Sequence, residues 1–510
     1  KVMGMTVFAG MLIATLLAVC LIPVLFVAVS RISGSKAAPL ALVAVSLAVV
    51  SACAVGPNYT RPEVPAPPQF RFVEGPAEAE TIADVPWWQI TKDTQLQALL
   101  REAIANNLDL RLATARVEEA RAQYGIAKSF LFPEVGVAAG YSAQQVSRLS
   151  EPPQGTAAGK TYQNWSTGFP LSWEIDFFGR LRRGKEAAFA AYLATEQGQR
   201  AALVTLVADV ASTYLLLRQL DLQLEVSRRT LEANDETVRF YEARLKGGVS
   251  NRLEVDQAVA NRARTATVIP QTERQIAVAE NALCFLLGRL PGPIERGAAL
   301  SDETVPPAVP AGLPASLLER RPDVLGAEQL LVAANANVGA AKALFFPTIS
   351  LTGILGTISG DFSNLLKADS NVWQLNPSLF APIFQGGRIK RNYEASKARY
   401  DQALAIYQKA ALNGYREVAD ALVTVQKLGE ARLELEDGVD ALRDAGKLAR
   451  SRYDTGLSNY LEVLIADQFL FDQELALARV RGDEMRSFVD LYRALGGGWQ
   501  QEPGAPPATP

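Results

Sequence analysis

The chain has 510 residues, no histidine and three cysteines, with 51 basic against 54 acidic side chains. Without an imidazole, Ser-His-Asp triads, Cys-His dyads, His-ligated zinc and haem-His sites are excluded and the commonest general base is missing, while carboxylate chemistry stays open. A net charge of -3 leaves no basic footprint for nucleic acid, and Cys20, Cys53 and Cys284 are too few and too widely spaced for a disulfide framework or a thiolate metal cage.

The first fifty residues read as addresses rather than fold. Residues 7–30 are uncharged and mostly apolar, and a bilayer core needs about 20 such residues. After Arg31 and Lys36 a second apolar run, 37–50, ends in Val50-Ser51-Ala52-Cys53. Basic residues, an apolar stretch and small residues at the cut site form an export signal over 35–52. The cysteine after Ser-Ala resembles the bacterial lipobox, with Cys53 as the lipidated residue. Residues 1–34 resemble the last transmembrane helix of a resistance-nodulation-division (RND) pump, which makes them a pump-like remnant; a long natural signal anchor is the alternative. Cleavage before Cys53 leaves 48 basic and 54 acidic side chains, net -6. The lead that follows, rich in Pro57, Pro62, Pro65, Pro67 and Pro68, cannot stay helical and reads as an extended tether or a disordered terminus within 53–90.

The body is written twice. Asp109, Ala113, Gly125, Ala127, Lys128, Phe132 and Pro133 recur at Asp323, Ala327, Gly339, Ala341, Lys342, Phe346 and Pro347, an offset of 214. Arg244, Gly248, Ser250-Asn251 and Leu253-Glu254-Val255 recur at Arg452, Gly456, Ser458-Asn459 and Leu461-Glu462-Val463, an offset of 208. The spacing predicts one repeat over 91–289 and another over 321–498, joined by a proline-rich linker at 290–320 and followed by a disordered tail at 499–510. Each repeat holds a helix ending at a proline, two β segments, a very long helix and a return helix. The proline-free stretches 180–245 and 388–453 would each extend about 100 Å as single helices, so they must pack side by side or line a tube. Leu203, Leu206, Val207, Val210, Tyr214 and Leu217 form one buried stripe, and Ala201, Ala202, Ala208 and Ala211 allow close packing on a second face. Cys284, in the apolar run Ala282 to Leu287, reads as packing.

Between prolines and long helices the hydrophobic period falls to two, predicting strands at about 134–150, 162–178, 348–360 and 372–386. Val135, Val137, Ala139 and Tyr141, then Trp165, Phe169, Leu171 and Trp173, alternate with Ser166, Ser172 and Glu174; Ile349, Leu351, Leu355, Trp373 and Leu375 repeat the pattern. A soluble sheet with one wet face has that alternation, and so has a membrane barrel. Four strands cannot close a barrel and open edges are not allowed in lipid, so several chains must build one together.

Cys53-Ala54-Val55-Gly56-Pro57-Asn58-Tyr59, Asp176-Phe177-Phe178-Gly179-Arg180, Phe346-Pro347, Gly386-Gly387-Arg388 and the paired glycine turns carry a resemblance over 53–500 to the outer membrane factors. These are the TolC-like exit ducts of tripartite efflux pumps, here the lipoprotein branch. The resemblance implies a mixed α/β fold of α-barrel plus membrane β-barrel, with four strands per protomer in a homotrimeric barrel of twelve. It implies a periplasmic adaptor protein, an inner-membrane RND pump and outer-membrane lipid as partners, and no cofactor. The tips would be Gly248, Val249, Ser250 and Asn251 with Gly456, Leu457, Ser458 and Asn459, meeting the adaptor. Glu254, Asp256, Arg452, Tyr453, Asp454, Glu462 and Asp467 would form the periplasmic gate, as carboxylate rings in a trimer; acids in a first helical turn also simply favour its positive dipole end. Ser458 and Ile465 stand where the family gate often has a basic partner and a second aspartate, so the resemblance implies a gate tied more loosely or through Arg452 and Tyr453. A duct for type I protein secretion, a pore-less coiled-coil scaffold and a carboxylate enzyme are the rival readings.

Overall fold

The computed structural model describes residues 54–71, 93–149, 151, 156–297 and 317–497. The readings made for residues 1–52, for Cys53 and for the tail at 499–510 lie outside them, as does most of the linker at 290–320. Elements run α1 (Thr94–Asn106), α2 (Leu108–Ser129), β1 (Glu134–Val135), β2 (Ala138–Gln145), β3 (Thr161–Ile175), α3 (Arg180–Lys246) and α4 (Arg252–Leu286). The second half follows as α5 (Leu317–Arg320), α6 (Pro322–Ala343), β4 (Thr348–Ser359), β5 (Asn371–Phe380), α7 (Arg388–Asp454) and α8 (Tyr460–Ala494). The chain divides into two compact units, one containing 127–185 and 336–394 with the start of the lead, the other containing the remaining helical residues.

The first unit holds an antiparallel sheet in which β1 and β2 both pair with β3, β3 with β4 and β4 with β5. β1 and β2 are two pieces of one strand, because Glu134↔Ser172 and Ala138↔Gly168 keep the same register. The break falls where Gly136 meets Pro170. The Gly136 amide donates to the Pro170 carbonyl at 3.1 Å, and proline has no N–H to return. The register puts Tyr141, Trp165, Phe169, Trp173, Leu355, Trp373 and Leu375 on one face, with Ser166, Ser172, Thr352, Gln374, Asn376 and Ser378 on the other. Glu134 and Glu174 are the charged residues among all five strands, and Glu174 forms a two-pronged pair with Arg180 at 3.0 and 2.7 Å. The lead is not a free tether here. Val55 donates to the Phe178 carbonyl at 3.1 Å, and Gly56, at φ +119°, lies so close to Gly339 that a Cβ would stand 2.5 Å from its Cα.

α3 and α7 have 67 residues each, all but their first turns in the second unit, and α4 and α8 have 35 each. The offsets seen in the sequence reappear as equivalent bonds. Asn107 Nδ2 donates to Leu286 O at 2.9 Å, and Arg321 Nη1, 214 positions on, donates to Ala494 O, 208 positions on, at 2.8 Å. The two side chains differ, yet both tie the start of a short helix to the end of a return helix. Val210 and Val418 are both fully buried, as are Leu283 and Leu491. The predicted stripe Leu203, Leu206, Val207, Val210, Tyr214 and Leu217 packs with Leu96, Leu99 and Leu100 of α1 and Leu283 and Cys284 of α4. In the second repeat Phe70, from the lead, joins Leu317, Val418 and Leu491. Tyr59 and Arg61 reach Glu328 at 3.1 Å each, so this part of the lead is docked as well, which corrects the tether reading.

Candidate functional site

Each long hairpin turns through the same geometry. Gly248 and Gly456 adopt φ of 73° and 74°, a left-handed conformation that spares glycine the Cβ clash. Val249 N then donates to Arg244 O at 3.0 Å and Leu457 N to Arg452 O at 2.8 Å, closing the end of each long helix. Asn251 and Asn459 stand at the N-caps of the return helices, and the Asn251 side-chain oxygen Oδ1 accepts from Glu254 N at 3.1 Å. Two apolar side chains are thereby pushed outward, Val249 at 65% exposure and Leu457 at 72%.

The acidic residues behind the turns do not form one cluster. Glu254 accepts from the Ser250 hydroxyl, Asp256 pairs with Arg252 at 3.0 Å, and Glu462 pairs with Arg452 at 3.5 Å. Asp454 is exposed at the end of α7. Asp467 turns away from Glu462 and faces α7, where Arg450 reaches it at 3.2 Å. Burial pushes the Asp467 carboxyl above its ordinary value, with Arg450 pulling the other way. Ser458 Oγ is buried without a hydrogen-bond partner.

What joins the two turns is aromatic. Tyr241 of α3 packs on Tyr460 of α8 at 4.2 Å and on Tyr453 of α7 at 5.9 Å, and Val255, Ala258, Val463 and Leu464 complete the cluster. The Arg244 guanidinium lies 5.5 Å from the Tyr453 ring and 5.4 Å from that of Phe240. Burial pushes the Tyr460 phenol up to about 12, Asp467 adding to the shift, and raises Tyr241 too. Sequence reasoning named Tyr453 and missed Tyr241, Tyr460 and Arg244. The signal available was three tyrosines within twelve residues of a turn. Among the described residues no group of His, Cys, Asp or Glu could hold a metal ion.

The model of the family described as outer membrane efflux protein matches residues 99–289 and 313–497. The chain belongs to the outer membrane efflux protein family. Among curated efflux proteins it is 36% identical over 454 residues to the cation efflux system protein CusC of Escherichia coli O6:H1, covering 89% of this chain and 97% of that protein. It is 35% identical to the solvent efflux pump outer membrane protein SrpC of Pseudomonas putida, with coverages of 89% and 97%. Among solved structures the outer-membrane channel OprN superposes with a TM-score of 0.83 at 31% identity, covering 88% of this chain and all of that one. The open state of the Neisseria gonorrhoeae MtrE outer membrane channel gives 0.80 at 31% identity, with coverages of 88% and 99%. This efflux protein is therefore an outer-membrane channel of the TolC-like fold, the exit duct of an efflux system, extending into the periplasm.

Proposed function

We propose that three copies of this chain form the duct, each lending four strands to one barrel and two helical hairpins to one tunnel. The observation that carries this reading is the sheet itself. Both of its outer strands, β1/β2 and β5, have an edge that no described strand of the chain covers, and lipid tolerates no open edge. The tunnel would use α3, α4, α7 and α8. A lipid on Cys53 would add an anchor at the membrane.

The conduit is passive. Its barrel lining, the serine, threonine, asparagine and glutamine face, carries no charge between Glu134/Glu174 and the far strand ends, so selectivity falls on the helical end. There Glu254 and Glu462 would each become a ring of three carboxylates, with Asp256, Arg452, Tyr453 and Asp454 around them, attracting cations and repelling one another, while Asp467 backs the gate from its pair with Arg450. Gly248, Val249, Ser250 and Asn251, with Gly456, Leu457, Ser458 and Asn459, present the surface for a periplasmic adaptor, and an inner-membrane pump supplies energy. The relatives' names span cations and organic solvents, which fits a weakly selective pipe for drug-like and ionic cargo. No catalytic step is assigned to it.

Single-channel conductance in planar bilayers tests this, wild type against the double variant Glu254→Ala/Glu462→Ala. A small cation-selective current that rises in the double variant supports a duct closed by those rings. No current from folded protein in either form overturns the duct, and equal currents move the gate elsewhere.

A further inference from the structure

Residues 360–370 join β4 to β5 at the end of the sheet away from the helices. Since the helices extend into the periplasm, this loop stands on the outer side of the membrane. Phe362 is 66% exposed there and Leu366 88%. The charges of the loop, Asp361, Lys367 and Asp369, lie outside the stretch 362–366. The backbone closes on itself. Asn364 N donates to Asp361 O at 3.1 Å, Leu365 N to Phe362 O at 3.2 Å, Lys367 N to Asn364 O at 3.0 Å and Ser370 N to Lys367 O at 3.0 Å, and Ser370 Oγ adds a bond to Asn364 O at 2.7 Å. Backbone groups satisfied from within are what contact with lipid requires.

The loop folds onto the apolar face of the sheet. Trp165 packs on Tyr141 at 4.5 Å and meets Phe362 edge-on at 5.0 Å, so the three rings form one row on the face that carries Phe169, Trp173 and Leu355. Towards the outer end that face of the strands turns polar, with Gln163 and Thr161 on β3, Gln145 on β2 and Ser359 on β4. From Trp173 to Trp165 is eight residues, about 26 Å along the strand and about 20 Å in height at a barrel tilt of about 40°. The apolar band of an outer-membrane barrel is about 25 Å tall. The loop supplies apolar side chains where those of the strands run out.

We propose that Phe362, Leu365 and Leu366 enter the outer leaflet and contact lipid acyl chains, so that the β4–β5 loop is the upper edge of the lipid-facing wall. This assignment rests on the barrel reading above. The occupant is lipid rather than another copy of the chain. Trp165 belongs to β3, which is paired on both sides within the chain, and Phe362 folds towards it, away from the β5 edge where a further strand would join. The row of rings is continuous with the apolar face of the sheet, and aromatic side chains are favoured at the level where acyl chains give way to headgroups. Lys367 follows the apolar stretch directly and has the length to carry its ammonium up to the headgroup phosphates.

The test places a bimane label at Leu366→Cys, Leu355→Cys or Ser378→Cys in the full chain, reconstituted in phosphatidylcholine and phosphatidylglycerol vesicles with or without bromine on the acyl chains. Leu366 is so exposed that replacing it disturbs no packing, and Cys284 is fully buried, with labelled wild type as background. Brominated chains should quench Leu366→Cys as they quench Leu355→Cys on the apolar face, and leave Ser378→Cys on the polar face bright. If bromine quenches Leu355→Cys but not Leu366→Cys, the loop assignment is overturned: quenching of Leu366→Cys by aqueous iodide then puts the loop in water, and protection from iodide puts it under another copy. If Leu355→Cys escapes bromine as well, the apolar face is not in lipid and the barrel reading falls first.

Discussion

The hydroxyl of Tyr214 offers a sharp test of how the first repeat holds the start of the linker. Tyr214 is fully buried; its Oη donates to Asp93 Oδ2 at 2.8 Å and accepts from the Gly297 amide at 2.8 Å. Asp93 in turn caps α1 through Gln95 N at 2.8 Å and Leu96 N at 3.3 Å. Tyr214→Phe keeps the ring and its packing, so no cavity term enters. It removes one bond to a charged oxygen, worth about 1.5–3 kcal/mol, and one neutral bond, worth about 1 kcal/mol. The expected loss is therefore about 2.5–4 kcal/mol, concentrated where the linker meets α1. Thermal unfolding should shift downward, and hydrogen exchange should quicken at Gly297, Gln95 and Leu96 before it does at the α3 core. A variant whose melting and amide protection match wild type would refute the clasp and leave Tyr214 as packing alone.

Gly456→Ala should destabilise the turn by about 1–2 kcal/mol, because φ is 74° and no atom stands near the new Cβ to explain any other cost. The same change at Gly198, inside α3 with equally open space, should stabilise by about 0.5–1 kcal/mol, so melting shifts of the same sign would refute the backbone argument. Asp467 has its folded carboxyl raised above the ordinary 3.8. Its contribution to stability is thus full below that value and is lost as pH rises through the folded value. Asp467→Asn should flatten the pH dependence of the denaturant midpoint above about pH 4, and an unchanged or steeper slope would count against it.

The duplicated plan was legible because the residues that fix it are local: glycines at the turns, prolines closing the short helices, and a period that changes from helical to two. The buried stripe on α3 and the two faces of the sheet follow from spacing alone. What escaped the sequence depends on partners far away in the chain. The break at Gly136 comes from Pro170, on the neighbouring strand. The docking of the lead comes from Phe178, Gly339 and Glu328, none of which the proline-rich composition announces. The tip tyrosines meet only because Tyr241 and Tyr460, in different repeats, fold onto one another. Asp467 lies five residues after Glu462, about 140° further around the helix; grouping the two by proximity in sequence joined residues that face different neighbours.

Divergence between the repeats says more about function than their likeness does. Arg228 pairs with Glu273 at 2.8 Å in the first hairpin, and at the offset of 208 the second hairpin has the reverse, Glu436 with Arg481 at 2.8 Å. Exchanging the return helices would set Arg228 against Arg481 and Glu436 against Glu273. Each pair is partly exposed and contributes little to stability by itself, but like charges at both places would oppose the exchange. Two hairpins of the same length, built from one ancestral plan, are thus kept from being interchangeable. At the same offset the buried Glu474 of the second hairpin stands where the first has Ala266, a further difference between the two return helices. Where the two hairpins do the same thing, turn and cap, their residues agree; where each pairs its own two helices, their charges are reversed.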